Sequence, residues 1–242
     1  MSLGSLRPDV SDFLSPYLPP NNDENLSRPS VTLTYAQSLD SRISKGHGIR
    51  TTISHPETKT MTHYLRYHHD GILIGSGTAL ADNPGLNCKY GGPDAREHSP
   101  RPIILDAKQK WKFSGSKMQE LFLSGEGKSP IIVVDKEPAD KETGAEYLAC
   151  SCTDLGSFDW DKMMHILRTR YRIKSVMVEG GANVINQLIL RPDLVDNLVI
   201  TIGPTFLGRN GVEVSPTTGM SLCDVNWWRG TNDAVLAAHL SK

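Results

Sequence analysis

Residues 175–185 combine an acidic side chain with glycines in a way that suits binding of a phosphorylated ligand. An apolar run ends at Glu179, and Gly180 and Gly181 then lead into a helical pattern near Asn183. Glycines at such a turn let backbone N–H groups approach a ligand, and the amino end of a helix favours an anion. The spacing differs from the G-x-G-x-x-G fingerprint, so a Rossmann site is not indicated. We predict a phosphate cradle, with an ordinary strand-to-helix turn as the alternative.

A second glycine-bearing turn follows the apolar run Ile72–Gly75 and contains Thr78 and Asp82. Open α/β sheets bind ligands outside the carboxyl ends of their strands, where hydroxyl and carboxylate groups contact sugars and phosphates. Two such turns at equivalent strand ends indicate one shared crevice. In the alternative interpretation, Thr78 caps a helix and Asp82 begins an Asp-Asn-Pro turn.

A third group of candidate residues follows the first predicted strand. The polar segment Ala36–Arg42 is succeeded by a basic loop that contains Lys45, His47 and Arg50. These side chains, with Arg66 on the next predicted helix, suit charge-assisted hydrogen bonds to a substrate phosphate. A single Lys or Arg is usually a solvated surface charge, but Arg66 lies next to the apolar face of its helix. We therefore expect Arg66 to hold a phosphate.

Two further motifs resemble parts of known functional sites, but the other residues that such sites need are missing from the chain. His55-Pro-Glu57 matches half of a zinc deaminase signature, but the P-C-x-x-C half is absent, and Cys150-Ser-Cys152 has the wrong spacing. A zinc centre needs at least three placed ligands, so we expect no metal and interpret Glu57 as a first-turn helix carboxylate. The Trp227-Trp228 pair is expected to pack at the entry to the last strand. The absence of a G-x-S-x-G elbow leaves a hydrolase triad unsupported.

Alternating strand and helix patterns are expected to position these residues. The predicted strands are Val31–Tyr35, Ile72–Gly75, Ile103–Asp106, Ile131–Asp135, Ser175–Glu179, Asn197–Ile202 and Asp233–His239. The predicted helices are Glu57–His69, about Phe158–Tyr171, and Asn183–Leu190. This alternation predicts a layered α/β domain, with helices on the faces of a mostly parallel sheet. The last two strands have no helix between them, so one edge of the sheet should be mixed.

Composition excludes several classes of protein. The 242 residues include 26 Lys+Arg and 27 Asp+Glu, a net charge of −1 that is a poor basis for nonspecific nucleic-acid binding. We expect no membrane association, because no apolar run approaches the roughly 20 residues of a membrane span. The amino-terminal residues lack the pattern of a secretory signal, and four cysteines are too few for a disulfide framework. We therefore expect a cytoplasmic protein with reduced thiols.

The amino-terminal segment differs from the remainder in composition. Five prolines occur among Asn, Asp and Ser before residue 30. Such a composition resists both helix formation and strand pairing. We therefore predict a flexible arm over residues 1–29 and a single domain over residues 30–242.

Five motifs, taken in order, resemble those of the riboflavin-biosynthesis reductase family. They are V-T-L-T-Y-A-Q-S-L-D-S-R-I, H-Y-L-R-Y-H-H-D-G-I-L-I-G-S-G-T-A-L-A-D-N-P-G-L, R-P-I-I-L-D, V-M-V-E-G-G-A-N-V-I and I-G-P-T-F-L-G. The family includes the reductase half of the bifunctional deaminase-reductase. Because the deaminase cysteines are absent, this chain is similar to the stand-alone fungal and archaeal form. The resemblance extends over about residues 29–239, where Ser41 replaces a glycine that many relatives have.

The resemblance implies a three-layer dihydrofolate-reductase-like fold, a homodimer and NADPH as cofactor. The implied reaction reduces 2,5-diamino-6-ribosylamino-4(3H)-pyrimidinone 5′-phosphate to its ribitylamino product. The implied cofactor-binding residues are Ala36, Thr52, Thr78, Asp82, Gly180, Gly181, Ala182, Asn183, Val184 and Ile185. The implied substrate-binding residues are Arg50, Arg66, Leu86 and Glu179.

The chemistry of such a reduction suggests roles for two carboxylates. The ribosylamine must open to a C1′ imine that accepts a hydride, while the protein supplies position and electrostatics. Glu179 is expected to orient the substrate, and Asp40, Glu179 or a bound water is the candidate for protonation. Two alternatives remain at this point: a dihydrofolate reductase that binds a pteridine, and a noncatalytic nucleotide-binding protein of the same fold.

Overall fold

The computed structural model describes residues 3–20, 27–153 and 157–242. Its helices are α1 (Pro8–Leu14), α2 (Pro56–Tyr67), α3 (Ser76–Asp82), α4 (Lys117–Leu123), α5 (Trp160–Thr169) and α6 (Ala182–Leu188). Its strands are β1 (Ser30–Gln37), β2 (Arg42–Ser44), β3 (Gly71–Gly75), β4 (Arg101–Leu105), β5 (Ile131–Val134), β6 (Glu146–Ala149), β7 (Ser175–Gly180), β8 (Asn197–Ile202), β9 (Val212–Glu213), β10 (Leu222–Arg229) and β11 (Ala234–Leu240). Short 3-10 segments occur at Ser15–Tyr17 and Gly92–Arg96. None of the helices in these ranges is long and apolar enough to cross a membrane.

One large sheet forms the centre of the molecule. Its strand order is β10-β11-β8-β1-β7-β3-β4-β5-β6. All pairings from β8 to β6 are parallel, whereas β11 and β10 run antiparallel at one edge. The prediction of a mostly parallel sheet with a mixed edge is therefore confirmed. The carboxyl ends of four neighbours, β1, β7, β3 and β4, meet at the same side of the sheet.

Helices cover both faces of this sheet and make three layers. α5 and α6 pack on one face, and α1, α2, α3 and α4 cover the other. On β7, Val176 and Val178 face α5 and α6, while Met177 faces α1 and α2. Because side chains alternate along a strand, Glu179 lies on the same face as Met177. The acidic residue of the first motif is thus directed towards α2.

Every predicted strand and helix is present, with bounds that agree to within two residues. The prediction missed shorter or more polar elements. α3 and α4 each have seven residues, too few to show a helical period clearly. β10 contains the Trp227-Trp228 pair, which the prediction placed just before the last strand. Trp228 is buried as expected, but Trp227 is 58% exposed.

The expectation of a flexible amino-terminal arm does not hold for residues 8–17. This segment forms α1 and the 3-10 turn that follows, and Val10 and Leu14 are buried against α2, β10 and β11. Pro8 occupies the first turn of α1, where a helix needs no N–H donor, so the proline does not oppose the helix. Trp228 Nε1 donates to Asp9 at 2.9 Å. Residues 1, 2 and 21–26 of the predicted arm lie outside the described residues.

Candidate active site

A cleft of about 890 Å³ lies where β1, β7, β3 and β4 end. Its volume falls within the range of small-molecule and cofactor sites. Most residues singled out from the sequence line this cleft: Ala36, Arg50, Thr52, Arg66, Thr78, Asp82, Leu86, Glu179, Gly181, Ala182, Asn183, Val184 and Ile185. Gly180, Asp40 and Lys45 are the exceptions, because none of them is among its lining residues.

The two glycine-bearing turns contact each other and form one cradle. A Cβ added at Gly181 would lie 2.9 Å from Oγ1 of Thr78, closer than real Cβ atoms approach a neighbour. Gly180 has a φ of +110°, which disfavours other residues there, and its peptide bond to Gly181 is cis. Glycine is therefore required at this turn by both backbone conformation and space.

The cradle presents backbone donors without side-chain partners. α3 begins after Gly75 and α6 begins after Gly181, and neither helix has a side-chain cap. The first N–H groups of a helix have no partner within the helix, so they are available to a ligand. Thr78 lies within α3 and does not cap it, which argues against the alternative interpretation. Asn83, with a φ of +41°, ends α3, so Asp82 both precedes this turn and lines the cleft.

Arg66 and Glu179 form a two-pronged ion pair on the floor of the cleft. Arg66 donates to the Glu179 carboxylate from Nε at 2.8 Å and from Nη2 at 2.7 Å. Its Nη1 donates to the carbonyl of Asn87 at 3.1 Å. Burial lowers the pKa of Arg66, but the attraction by Glu179 outweighs this effect, so the pKa of Arg66 is raised.

This pairing changes the interpretation of Arg66 as a free phosphate-binding cation. Arg66 and Glu179 were predicted from the sequence as independent groups, but in the fold the carboxylate compensates the guanidinium charge. Their side chains are only 13% and 18% exposed, so solvent screens the pair weakly. The pair presents a nearly neutral surface, with hydrogen-bonding capacity left on both partners.

Leu86 forms part of the same wall in an unusual conformation. It is 2% exposed, and its φ of +54° lies in the left-handed region. This region costs a residue other than glycine roughly 1–2 kcal/mol, and such strain tends to occur at functional sites. The next residue, Asn87, accepts from Arg66, so the ion pair and the strained segment support each other.

Besides the predicted Arg66, α2 contributes Lys59 and His63, which were not predicted from the sequence. Lys59, His63 and Arg66 all line the cleft and lie on one face of the helix, four and three residues apart. The Nδ1 atom of His63 accepts the backbone N–H of Lys89 at 3.2 Å. Burial, followed by the positive charges of Arg66, Lys89 and Lys59, lowers the pKa of His63 to about 3. A polar stripe opposite the buried Met61 was the signal that could have identified these residues.

Arg50 and Asp82 lie near each other on another part of the rim. Burial raises the pKa of Asp82, and the positive charge of Arg50 opposes this effect. Both residues line the cleft, as does Thr52 in the same loop as Arg50. The loop residues expected from the family resemblance therefore line the cleft, and their roles in ligand binding stay predictions.

Asp40 has a structural role, because its hydrogen bonds connect the loop after β1 with residues 207–208. Its carboxylate accepts from the Ser38 hydroxyl at 2.5 Å and from the backbone N–H groups of Leu207 and Gly208 at 3.0 and 2.8 Å. The Ser38 hydrogen bond, together with these backbone donors, lowers the pKa of Asp40 to about 2. An ionised carboxylate outside the cleft is poorly suited to donate a proton to a ligand.

The residues of the partial zinc signature have local roles. His55 caps α2, with Nδ1 accepting from the backbone of Glu57 at 3.4 Å. Glu57 accepts from the backbone of Thr231 at 2.7 Å, in the first helical turn as predicted. Within the described residues, no group of three or more His, Cys, Asp or Glu is arranged to hold a metal ion.

The layered sheet and the glycine cradle at its carboxyl edge are typical of α/β enzymes that bind a nucleotide cofactor. The family model described as the RibD C-terminal domain matches residues 29–236. The chain therefore belongs to the RibD C-terminal domain family.

Known proteins agree with this assignment. The chain is 61% identical over 243 residues to the Saccharomyces cerevisiae protein named 2,5-diamino-6-ribosylamino-4(3H)-pyrimidinone 5′-phosphate reductase, covering 100% of this chain and 99% of that protein. It superposes on the solved structure of the S. cerevisiae riboflavin biosynthesis reductase Rib7 with a TM-score of 0.86 and 57% identity, covering 96% and 100% of the two chains.

A more distant likeness concerns the fold alone. Dihydrofolate reductase from Enterococcus faecalis, solved with NADP(H), has a TM-score of 0.50 at 11% identity, covering 88% of this chain and 97% of that one. The predicted dihydrofolate-reductase-like fold is thereby confirmed.

Proposed function

We propose that this protein is an NADPH-dependent oxidoreductase of riboflavin biosynthesis. Its reaction is the reduction of 2,5-diamino-6-ribosylamino-4(3H)-pyrimidinone 5′-phosphate to the ribitylamino product. The observation that carries the proposal is the single cleft that joins the glycine cradle to the Arg66–Glu179 pair. The name of the S. cerevisiae relative, which is similar along its whole length, supports the choice of substrate.

The residues of the cradle fit a dinucleotide cofactor. The uncapped first turns of α3 and α6 offer N–H donors to the pyrophosphate, and Gly181 leaves the space that a Cβ would fill. Thr78 and Asp82 offer a hydroxyl and a carboxylate to sugar groups, and Ala36 and Thr52 line the same cleft. When bound there, NADPH supplies the hydride that adds to C1′ of the opened imine.

The Arg66–Glu179 pair is suited to orient the substrate. The carboxylate of Glu179 can accept N–H groups of an aminopyrimidinone while Arg66 holds it in place. Leu86 and Arg50 also line the cleft, and we assign both to substrate binding. Asp40 lies outside the cleft, and the Glu179 carboxylate is paired with Arg66, so we assign protonation to a water that Glu179 positions.

Loss of reduced-nicotinamide absorbance tests the proposed reaction. Purified protein is mixed with NADPH and either the freshly prepared ribosylamine phosphate or dihydrofolate. We expect oxidation only with the ribosylamine phosphate. Oxidation with dihydrofolate alone would favour a pteridine reductase, and NADPH binding without oxidation of either substrate would favour a noncatalytic nucleotide-binding protein.

A matched pair of glycine variants tests the cradle. Gly181→Ala places a methyl group against Thr78, whereas Gly219 has no atom within 4 Å of an added Cβ. We expect Gly181→Ala to weaken NADPH binding by about 10-fold, the equivalent of ~1.4 kcal/mol, and Gly219→Ala to have no effect. Equal NADPH affinity in both variants, measured by fluorescence titration, would remove the cradle from the proposal.

We also propose a cytoplasmic homodimer. In support, the four cysteines are free, and edge strand β10 exposes Val225 and Trp227. An exposed apolar sheet edge is an aggregation hazard unless another chain covers it. Sedimentation equilibrium should give twice the chain mass, and Trp227→Lys should shift the equilibrium towards monomer. A wild-type monomer at micromolar concentration would contradict the assembly.

A further inference from the structure

The loop at residues 45–52 depends on other parts of the chain for its position. We call it the cleft loop, because residues 46–52 all line the cleft. It carries Arg50 and Thr52, and most of its residues are exposed. Within the ranges described, its hydrogen bonds join its own residues to one another or to Ser44. A loop with so few contacts of its own is held in one conformation only by the segments that fix its two ends.

At its amino end the cleft loop is fixed by residues 203–213, which we call the backing segment. β2, the strand before the loop, pairs with β9 of the backing segment at Ser44 and Val212. Gly211 lies directly against β2, because an added Cβ there would be 2.9 Å from the carbonyl oxygen of Ser44. The backbone of the backing segment therefore determines where the cleft loop begins.

At its carboxyl end the cleft loop is followed by Ile53, which packs on the backbone of the same backing segment. An added Cβ at Gly203 would be 2.6 Å from Cγ2 of Ile53 and 3.0 Å from its carbonyl oxygen. The φ of Gly203 is not in the left-handed region, so space rather than conformation requires glycine at this position. Both ends of the cleft loop are thus held by one segment, and a shift of that segment would move both.

Asp40 connects the backing segment to the end of the central strand β1. Its carboxylate accepts the backbone N–H groups of Leu207 and Gly208 at 3.0 and 2.8 Å. The N–H group of Leu39 donates to the carbonyl of Thr205 at 2.8 Å. Hydrogen bonds to an ionised acceptor are stronger than those between neutral groups. Asp40 is therefore the charged connection between β1 and the segment that fixes the cleft loop.

We propose that Asp40 is a positioning residue for ligand binding, which holds the backing segment and thereby keeps the cleft loop in its ligand-binding conformation. Gly203 contributes to the same conformation, because it lets Ile53 pack on the backing segment. This inference rests on the proposed function for the ligands of Arg50 and Thr52. It assigns the Asp40 carboxylate a part in binding although the side chain does not line the cleft.

A positioning role of Asp40 changes affinity rather than turnover. Without the hydrogen bonds of Asp40, the cleft loop occupies its ligand-binding conformation in only a fraction of the molecules, and the apparent affinity falls by that fraction. A saturating ligand restores the conformation, so kcat stays near wild type while KM rises. Loss of a proton donor would have the opposite effect, because it would lower kcat and leave KM unchanged.

Steady-state kinetics with the ribosylamine phosphate and NADPH test the positioning role. We expect Asp40→Ala to raise the KM of the ribosylamine phosphate by about 10-fold, because a hydrogen bond to a charged group typically contributes at least this much, and to leave kcat within about 2-fold of wild type. Asp40→Asn keeps one acceptor oxygen and should raise KM by only about 3-fold. Gly203→Ala pushes Ile53 away and should also raise KM without lowering kcat.

Two matched variants separate positioning from a general loss of structure. Glu142 also accepts two consecutive backbone N–H groups, at 3.1 and 2.8 Å, and does not line the cleft. Glu142→Ala should therefore lower the melting temperature about as much as Asp40→Ala and leave both KM and kcat unchanged. Gly219→Ala, with no atom within 4 Å of the added Cβ, is the control for Gly203→Ala.

Limited proteolysis reports on the cleft loop without ligand or turnover. Trypsin cleaves after Lys45 and Arg50, and cleavage of a native protein requires a local opening of the chain. We expect both bonds to be cut about 10-fold faster in Asp40→Ala and Gly203→Ala, because the cleavage rate follows the population of the open form. Glu142→Ala should be cut at these bonds at the wild-type rate. Mass spectrometry of the fragments identifies the bonds.

The possible outcomes distinguish this inference from the proposed function. Wild-type cleavage rates and an unchanged KM in Asp40→Ala and Gly203→Ala would overturn the positioning role even if the reaction were observed. A lower kcat at unchanged KM in Asp40→Ala would overturn it as well, because Asp40 would then take part in the chemistry. Equally fast cleavage in Glu142→Ala would also overturn it, since the effect would be global. Faster cleavage confined to the Asp40 and Gly203 variants would support it even without turnover, which would count against the reaction alone.

Discussion

The burial of the Arg66–Glu179 pair allows a quantitative prediction of the free energy of unfolding of its variants. Glu179→Met leaves the Arg66 guanidinium in a largely buried position without its counter-charge. Removing one partner of a buried pair typically costs 3–5 kcal/mol, and we expect about 3 kcal/mol because both side chains retain slight exposure. Arg66→Met should cost a similar amount, since it leaves the Glu179 carboxylate uncompensated and the Asn87 carbonyl without its donor.

The double variant distinguishes pairing from simple loss of packing. Arg66→Met with Glu179→Met removes both charges and fills the space with apolar atoms, so its loss should be no more than about 2 kcal/mol. Independent contributions would instead add to about 6 kcal/mol. The coupling energy, from urea unfolding of all four proteins at pH 7, should therefore be about 4 kcal/mol. Additive losses would refute the reasoning.

An exposed pair provides the control for this cycle. Lys117 and Glu120 are 50% and 63% exposed and approach to 2.5 Å. Because solvent screens such a pair, Glu120→Met should change the free energy of unfolding by less than about 0.5 kcal/mol. A loss comparable to that of Glu179→Met would show that the measurement responds to any lost charge.

The double variant of the buried pair should also bind NADPH normally while losing substrate affinity.

Three further predictions concern backbone conformation, burial and pH. Ser41 has a φ of +57°, so Ser41→Gly should raise the free energy of unfolding by about 0.5–1 kcal/mol in urea titrations, and destabilisation would contradict this account. Leu14 is 0% exposed in the α1 cluster, so Leu14→Ala should cost about 2–4 kcal/mol and raise the substrate KM; an unchanged melting temperature would show that α1 is not docked in solution. Burial lowers the pKa of His63 to about 3 and of His69 to about 4, so both stay neutral in the folded state while the unfolded chain takes up protons below about pH 6.5. Stability should therefore be complete above that pH and fall by about 2–3 kcal/mol per pH unit between pH 6 and 5; equal unfolding free energies at pH 7 and 5 would exclude it.

Sequence patterns predicted the parts of the fold that depend on periodicity. The buried parallel strands and α2, α5 and α6 have long enough apolar patterns to be recognised, and their termini gave the positions of both glycine turns. α1 was missed because its prolines indicated disorder, although Pro8 sits where a helix tolerates it. β10 was missed because an edge strand with polar residues lacks a continuous apolar run.

Most residues of the candidate site were predicted from the sequence, but the contacts between them were not. The family resemblance supplied Arg66 and Glu179, but no spacing along the chain shows that residues 113 positions apart form one ion pair. Asp40 has a residue type that suits catalysis, yet its role depends on backbone donors from a distant loop. His63 was not predicted because its contact with the backbone N–H of Lys89 exists only in the folded chain.

The docking of α1 against α2 connects the amino-terminal segment with the cleft, because molecules with docked and undocked α1 are in equilibrium. α2 packs against α1 through Met61 and Leu65, and its opposite side carries His63 and Arg66. α1 lies outside residues 29–236, the part that matches the RibD C-terminal domain. If docking contributed about 2 kcal/mol, about 3% of molecules would have an unsupported α2 at any moment. Amide hydrogen exchange in α2 would then depend on whether α1 is docked, and substitutions in α1 would change substrate affinity from outside the matched domain.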